Sequence, residues 1–356
     1  TTLITGEKYC REQESIYSRS GTTPFSVLMD YGRIQLNLNR VKWNNDGQLE
    51  TKTVLEELTS KGDVQLTEEL KDNVRYIITH TTYRRVTKIL NVLKGMGFKK
   101  DVLWDIVQEL GITACETYPA NPKDYDIVMV DGSGGKGKHV WYAFIGLNTE
   151  TGQMFPLHHS VGVSLSDIKQ ELDDKGLVNR NHILIADGET GIHLEFKGYR
   201  IQMCAFHFEQ ALCYKLWEDG MSLKERKEIN SKIQTILNTL KNSVIKNAGK
   251  NHKRIEGRIE KTKEQLTTIA NNLTEQGFKK VGRFIMKHLD TVTLFAQEAV
   301  NLVKVPWTNN IMERFIGEVA FRIKNIWAHW SQTGLNSIIH LIIINYCKRN
   351  RVILEF

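Results

Sequence analysis

Three acids in this chain stand where a divalent cation would satisfy them: Asp131, Asp187 and Glu313. Residues 127–130, IVMV, are an uninterrupted apolar run that stops at Asp131, and such a run reads as a strand covered on both faces. Residues 182–186, HILIA, deliver Asp187 in the same way. A carboxylate at the end of a buried strand needs a partner, because an unpaired charge taken out of water is costly. Glu313 falls in the first turns of a helix that Thr308 or Asn309 can cap. Exposed helical glutamates normally have a base three or four residues away. Glu318 has Arg314 and Arg322 at that spacing and reads as a structural ion-pair residue, whereas Glu313 has Asn309, Asn310, Ile316 and Gly317. An anion is thus placed on a face with no cation, beside a glycine that leaves room. Hard cations such as Mg2+ take carboxylate oxygens and tolerate few protein ligands, so the three acids read as one metal site.

The turn after Asp131 offers a rival. Residues 132–138, GSGGKGK, satisfy G-x-x-x-x-G-K, but His139 stands where a phosphate loop wants Ser or Thr. A phosphate loop must also open a helix, so that its N-terminal amides face the phosphates. Residues 139–147, HVWYAFIGL, favour a strand instead. The segment therefore reads as a hairpin with Asp131 at its closed end.

The elements that must carry these acids can be read in outline. With 356 residues, 41% of them hydrophobic, the chain can hold two or three domains and a sizeable core. A net charge of +7 fits a polyanionic partner without requiring one. Five scattered cysteines, Cys10, Cys115, Cys204, Cys213 and Cys347, make a disulfide framework unexpected and a reducing interior the better reading. The most apolar late stretch, 335–347, is too short to span a bilayer and carries Asn336, His340 and Asn345. The chain starts at Thr1, as a processed or truncated product would.

Five regions follow one another. Residues 1–65 read as a polar arm, disordered over 1–24, and a small hairpin whose alternation shows in IQLNLNRVKW. Residues 66–118 have a helical period with breaks at 79–81 and 95–97. They make either a helix-turn-helix, whose third helix would enter a major groove, or a plain three-helix bundle; Asp101 and Asp105 on that helix count against DNA reading. Residues 119–220 alternate: strands at 127–130, 139–147 and 153–159, a helix capped by Ser164, strands at 182–186 and 199–204, then the helix AFHFEQALCYKLW. Residues 221–305 are helical, with breaks near Gly249, Gly277 and Gly282 and a basic middle from Lys241 to Lys263 that reads as a solvated face or a phosphate contact. Residues 306–356 return to the α/β region with Glu313.

The blocks IADGETGI, CAFHFEQALCYKLWEDG and TNNIMERFIGEVAFRIKNIWAHWSQTGL occur in that order, and together they resemble the transposases of prokaryotic insertion sequences in the Mutator-like DDE superfamily, most nearly the archaeal types. The resemblance covers about 124–347, and more loosely the helical region before it. It implies an α/β, ribonuclease H-like catalytic domain with a mixed sheet, interrupted by an α-helical insertion. It also implies two divalent ions, Mg2+ or Mn2+, held by Asp131, Asp187 and Glu313, which cut DNA at transposon ends and transfer the strand to a target. The implied partners are double-stranded DNA, as terminal repeats and as target, and a second copy in a homodimer, with no membrane; the implied location is cytoplasmic, at the nucleoid. The family's C-x-x-H pair falls on Cys204 and His207. That pair is half of a zinc pattern, so a closed zinc site is not expected; it reads as core or, for His207, as a contact near the reacting phosphate. Arg314, Arg322 and Lys324 read as phosphate-positioning or structural, and Trp327 and Trp330 as base-stacking or core. The competing readings are a nuclease of the same fold without strand transfer and a non-catalytic DNA-binding descendant.

Overall fold

The alternating segment IQLNLNRVKW lies within a strand, as its period of two requires. The computed structural model describes residues 18–29, 32–45, 48–53, 64–66, 68–94, 99–116, 121–134, 140–188, 190–323 and 330–354. They belong to two compact units, Thr1–Leu110 and Gly111–Phe356.

In the first unit, β1 (Ser18–Met29) and β2 (Gly32–Asn45) form the expected hairpin. β3 (Gln48–Thr53) adds antiparallel to β2, and β4 (Val64–Leu66) adds parallel to β1, giving the order β3-β2-β1-β4. The hairpin begins at Ser18, earlier than the arm expected over 1–24 allows, and residues 1–17 of that arm lie outside the described residues. Three helices follow: α1 (Glu68–His80), α2 (Tyr83–Lys94) and α3 (Lys100–Glu116). Leu70, Val74 and Ile78 bury one stripe of α1, Val86 and Leu90 one of α2, and Leu103, Val107 and Leu110 one of α3. Ile89 and Val102, which the helical period alone would put on the apolar face, are exposed at 38% and 40%. The apolar face is narrower than the sequence pattern suggests.

The unit boundary falls inside α3 and not at the proline-flanked stretch 118–122. A Cβ at Gly111, the first residue of the second unit, would meet the Ser337 Cβ at 2.8 Å, a close approach within that unit that glycine allows.

The second unit is built on a mixed sheet of β5 (Ile127–Gly134), β6 (Val140–Leu147), β7 (Met154–Val161), β8 (Ile183–Ala186) and β9 (Arg200–Met203), in the order β7-β6-β5-β8-β9. The first three strands are antiparallel neighbours, and β8 lies parallel to both β5 and β9. Around it stand α4 (Leu165–Asp174), α5 (Thr190–Glu195) and α6 (Ala205–Glu218). Ser164 caps α4 by accepting from the Asp167 amide, as expected. The short α5 was not legible in the sequence. Val128, Val130, Phe144, Leu184 and Ala186 form one core with Ile168 and Leu172 of α4 and Ile192 of α5.

The long helical segment comprises α7 (Leu223–Asn247), α8 (His252–Glu275) and α9 (Lys279–Val300). Ser222 and Glu225 form a capping box that starts α7. The breaks at Gly249 and Gly277 are present, and both glycines take positive φ, +71° and +95°. Gly282 is not a break. It lies inside α9, where a Cβ would collide with Thr274 Oγ1 and come within 2.8 Å of Ala270 O, so its role is the close crossing of α8 and α9. Gly282→Ala should therefore cost about 1–3 kcal/mol through overpacking. A denaturation midpoint equal to that of the wild type would contradict this packing. The three helices share a core with the sheet: Met203, Phe208, Leu212 and Leu216 bury against Ile233, Leu237, Leu266 and Ile285.

The chain closes with α10 (Asn310–Ile323) and α11 (Gln332–Arg349). α11 is buried over most of its length and packs on β7, with Gln332 Nε2 donating to Val161 O at 2.6 Å. Among the described residues no helix is long and apolar enough to cross a membrane.

Several histidines are buried in this unit. The His159 and His340 rings meet edge to face at 3.4 Å between centroids. Burial, and then His158, push His340 down to about 3; burial, His340 and His158 hold His159 well below its usual value. Burial, His193 and Lys287 push His288 down to about 4. These rings stay neutral in the native protein, whereas the unfolded chain protonates them below about pH 6.5. The unfolded state then binds more protons, so stability is lost as pH falls from about 6.5 toward 4. The melting temperature should drop across that window, and His340→Asn should flatten the drop. A level profile from pH 6.5 to 4.5 would contradict the burial of these rings as neutral species.

Candidate active site

Asp131 occupies the second half of β5 and is 5% exposed. The β5–β8 register pairs Met129 with Ile185, and continuing it sets position 131 level with position 187, just past the end of β8. Gly132 supplies the first support, its amide donating to Asp131 Oδ1 at 2.7 Å. A Cβ at Gly132 would strike the Tyr142 ring at 2.7 Å, so glycine lets the neighbouring strand close over this point. Asn309 supplies the second: its Nδ2 donates to Val130 O at 3.2 Å and to Asp131 Oδ2 at 3.3 Å. Asn309 is fully buried at the start of α10. The sequence suggested it only as a helix cap. It also orients the first acid.

Cys204 ties three elements together. Its amide donates to Ala186 O at 2.8 Å at the end of β8, and its Sγ accepts from the Asn309 amide at 3.2 Å. The neighbouring Ala205 amide donates to Trp307 O at 3.0 Å. The start of α6 is thereby fastened to the approach to α10, which carries Glu313 in its first turn. His207, on the first turn of α6, places Nδ1 3.9 Å from Glu313 Oε1.

The charges report on one another. Burial first, then Asp187 and more weakly Glu313, push the Asp131 carboxyl up to about 7, against the Gly132 amide and His207. His207 is raised to about 9, chiefly by its pairing with Cys204 and further by Asp187 and Asp131, against the cost of burial. Asp131 thus senses both other acids, and His207 supplies positive charge among them. On the far side, the His193 ring bonds to the backbone of Asp187, a contact no pattern in the sequence announced.

Among the described residues, two buried acceptors here, Glu313 Oε1 and Asn309 Oδ1, have no hydrogen-bond donor. Buried acceptors are ordinarily paired, so the orphans together with the mutual repulsion of the acids fit a cation in this place. The ligand atoms that close to within 4.8 Å of one another among the described residues are those of Cys204, His207 and Glu313, not the three carboxylates. The C-x-x-H pair, expected to lack further ligands, therefore finds a third in Glu313, from a helix more than a hundred residues away. Sulfur and nitrogen suit softer ions such as Zn2+, and the oxygens of Asp131, Asp187 and Glu313 suit Mg2+ or Mn2+.

The other candidates separate. Arg322 is 4% exposed and lies over the Trp330 ring at 4.9 Å, so this pair is occupied internally, as a structural cation–π contact. Arg314 is exposed. Lys324 and Trp327 lie outside the described residues. Glu318 is an ion-pair residue, but its partner is Arg349 of α11 at 2.7 Å, in place of Arg314 or Arg322. Helix packing overrode the local spacing, because α10 and α11 lie against each other.

Comparison of the chain with protein-family models and with curated proteins gives no match.

Proposed function

We propose that this protein is a DDE-type DNA transposase, in which a ribonuclease H-like core formed by the mixed sheet uses Asp131, Asp187 and Glu313 to cut DNA at transposon ends and to join the cut strand to a target. The observation that carries the reading is the placement of Asp131: buried on the strand next to β8, held by Asn309 at the start of the helix that carries Glu313, and with its carboxyl raised by burial and then by Asp187 and Glu313. Placing acids from three elements near one another does not serve stability, since like charges brought together out of water oppose folding. Gathering of this kind marks functional sites.

The chain's own residues have distinct tasks. Gly132 and Asn309 hold the Asp131 carboxylate in one orientation. Asp187 and Glu313 complete the anionic cluster, with His207 beside them as a positive charge next to Glu313. Two bound Mg2+ or Mn2+ ions would supply Lewis acidity at the scissile phosphate. The donor and target are double-stranded DNA, and a homodimer would hold the two ends.

The test is a donor plasmid carrying this chain's gene with its flanking DNA, incubated with a target plasmid and Mg2+. Wild type should release 3′-hydroxyl ends and produce joined molecules, and Glu313→Gln should do neither. Cleavage without joining would assign a nuclease instead. Equal activity of Glu313→Gln and wild type would remove the reading altogether.

A further inference from the structure

A second cluster of charge lies beside the acids. Gly188, the residue after Asp187, forms part of the floor of a cleft of about 530 Å³ between α5, α6 and α9. Lys215 reaches it from α6, and Lys280, Arg283 and Lys287 reach it from α9. The last three stand three and four residues apart, so they share one face of that helix. Four cations line one cavity with little to offset them. Lys215 pairs with Glu218 at 2.6 Å. The Asp219 carboxylate is spent on the first amides of α9, accepting from Val281 at 2.9 Å and Lys280 at 3.3 Å. Among the described residues neither Lys280, Arg283 nor Lys287 has a carboxylate within ion-pair distance. Like charges on adjacent turns repel, and a row of them opening beside an acid site calls for a polyanion. The cleft wall is also coupled to the site, since His193 lines it and bonds to the Asp187 backbone.

We infer that this cleft binds the sugar-phosphate backbone of DNA and leads it to the acids, with Lys280, Arg283 and Lys287 of the helical insertion on successive phosphates. The inference rests on the proposed reaction and names how its substrate is held. It also moves the DNA contact away from the basic run 241–263, whose Lys241 instead covers the Trp307 ring at 4.1 Å. Backbone contacts of this kind position DNA and carry no sequence preference.

The experiment measures binding of a short fluorescent DNA duplex without divalent metal, across a salt series. Each cation removed from a phosphate should reduce the slope of log affinity against log salt by about 0.9. The triple variant Lys280→Ala, Arg283→Ala, Lys287→Ala should therefore lower the slope by roughly 2–3, and the affinity at ~0.1 M salt by about 100- to 1,000-fold. All three side chains are exposed, so a circular-dichroism melt should match that of wild type. The charge-matched control Lys246→Ala, Lys250→Ala, Lys253→Ala should leave the slope close to the wild-type value. An unchanged slope in the first variant, an equal loss in the control, or no DNA binding by wild type would overturn the cleft assignment. The two readings fail separately. If wild type binds through the cleft but never cuts, the reaction is wrong and the cleft stands; if it cuts and the triple variant binds and cuts equally well, only the cleft is wrong.

Discussion

Asp131→Asn is expected to abolish metal-dependent DNA cleavage and, in the same protein, to raise the melting temperature measured without metal. The two effects have one cause. Burial and the neighbouring acids raise the Asp131 carboxyl from 3.8 to about 7, and each unit is worth about 1.4 kcal/mol between the charged and neutral forms. For a carboxyl raised in the native state, stability falls as pH rises from the unfolded value toward the native one. At neutral pH the charge then costs the metal-free fold on the order of a few kcal/mol. Asparagine removes that charge and still accepts from the Gly132 amide. Asn309 must adjust, since its Nδ2 now donates to Asp131 Oδ2, but its unpaired Oδ1 can take the new amide. A net gain on the order of 1–3 kcal/mol remains. Activity should fall by more than the roughly 10–100-fold that accompanies loss of an outer-sphere partner.

Added Mg2+ should raise the wild-type melting temperature by binding the native state alone. It should leave Asp131→Asn nearly unmoved. Glu313→Gln offers the contrast: it also removes a charge, but it deprives His207 of the carboxylate 3.9 Å away, so it should be inactive without being stabilised. An Asp131→Asn protein that cuts DNA at the wild-type rate, or that melts several degrees lower without metal, would sink the account of this acid.

Gln202→Met should cost roughly 2–4 kcal/mol, a large effect for a residue with no part in chemistry. Gln202 is wholly buried on β9. Its Oε1 accepts from the Phe295 amide of α9 at 2.7 Å, and its Nε2 donates to Met203 O at 2.6 Å. One side chain thus joins the sheet to the last helix of the insertion. Methionine keeps the volume and gives up both bonds, leaving the Met203 carbonyl and the Phe295 amide without this partner in a dry place. The urea midpoint should fall with the slope of the transition unchanged, as for a pure stability change. A midpoint within about 0.5 kcal/mol of wild type would show that the join is made elsewhere.

Apolar runs, caps and glycine turns were open to direct reading, because each depends on neighbours in the chain. ILIA is a strand that ends beside Asp187, and Ser164 starts a helix as Gly249 and Gly277 stop two others; IVMV opens a strand that does not stop at its acid but runs on through Asp131 to Gly134, because the pairing with β6 continues past it. Long-range partners were not readable. Glu318 has bases at ideal helical spacing and pairs with Arg349; Gly282 resembles a break and serves a helix crossing. At the candidate site, residue types nominated Asp131, Asp187 and Glu313, and the family resemblance added Cys204 and His207. Their arrangement depended on the pairing of β5 with β8 and on the bond between the Asn309 amide and the Cys204 sulfur. Only those contacts brought His207 to Glu313 and aimed the Asn309 side chain at Asp131. The basic cleft belongs to the same class: its cations come from two helices more than sixty residues apart, and the packing of α6 against α9 makes them neighbours. Local sequence sets which groups can ionise, cap or bury, whereas the free energy of bringing distant groups together is decided by the shared core that forces them there.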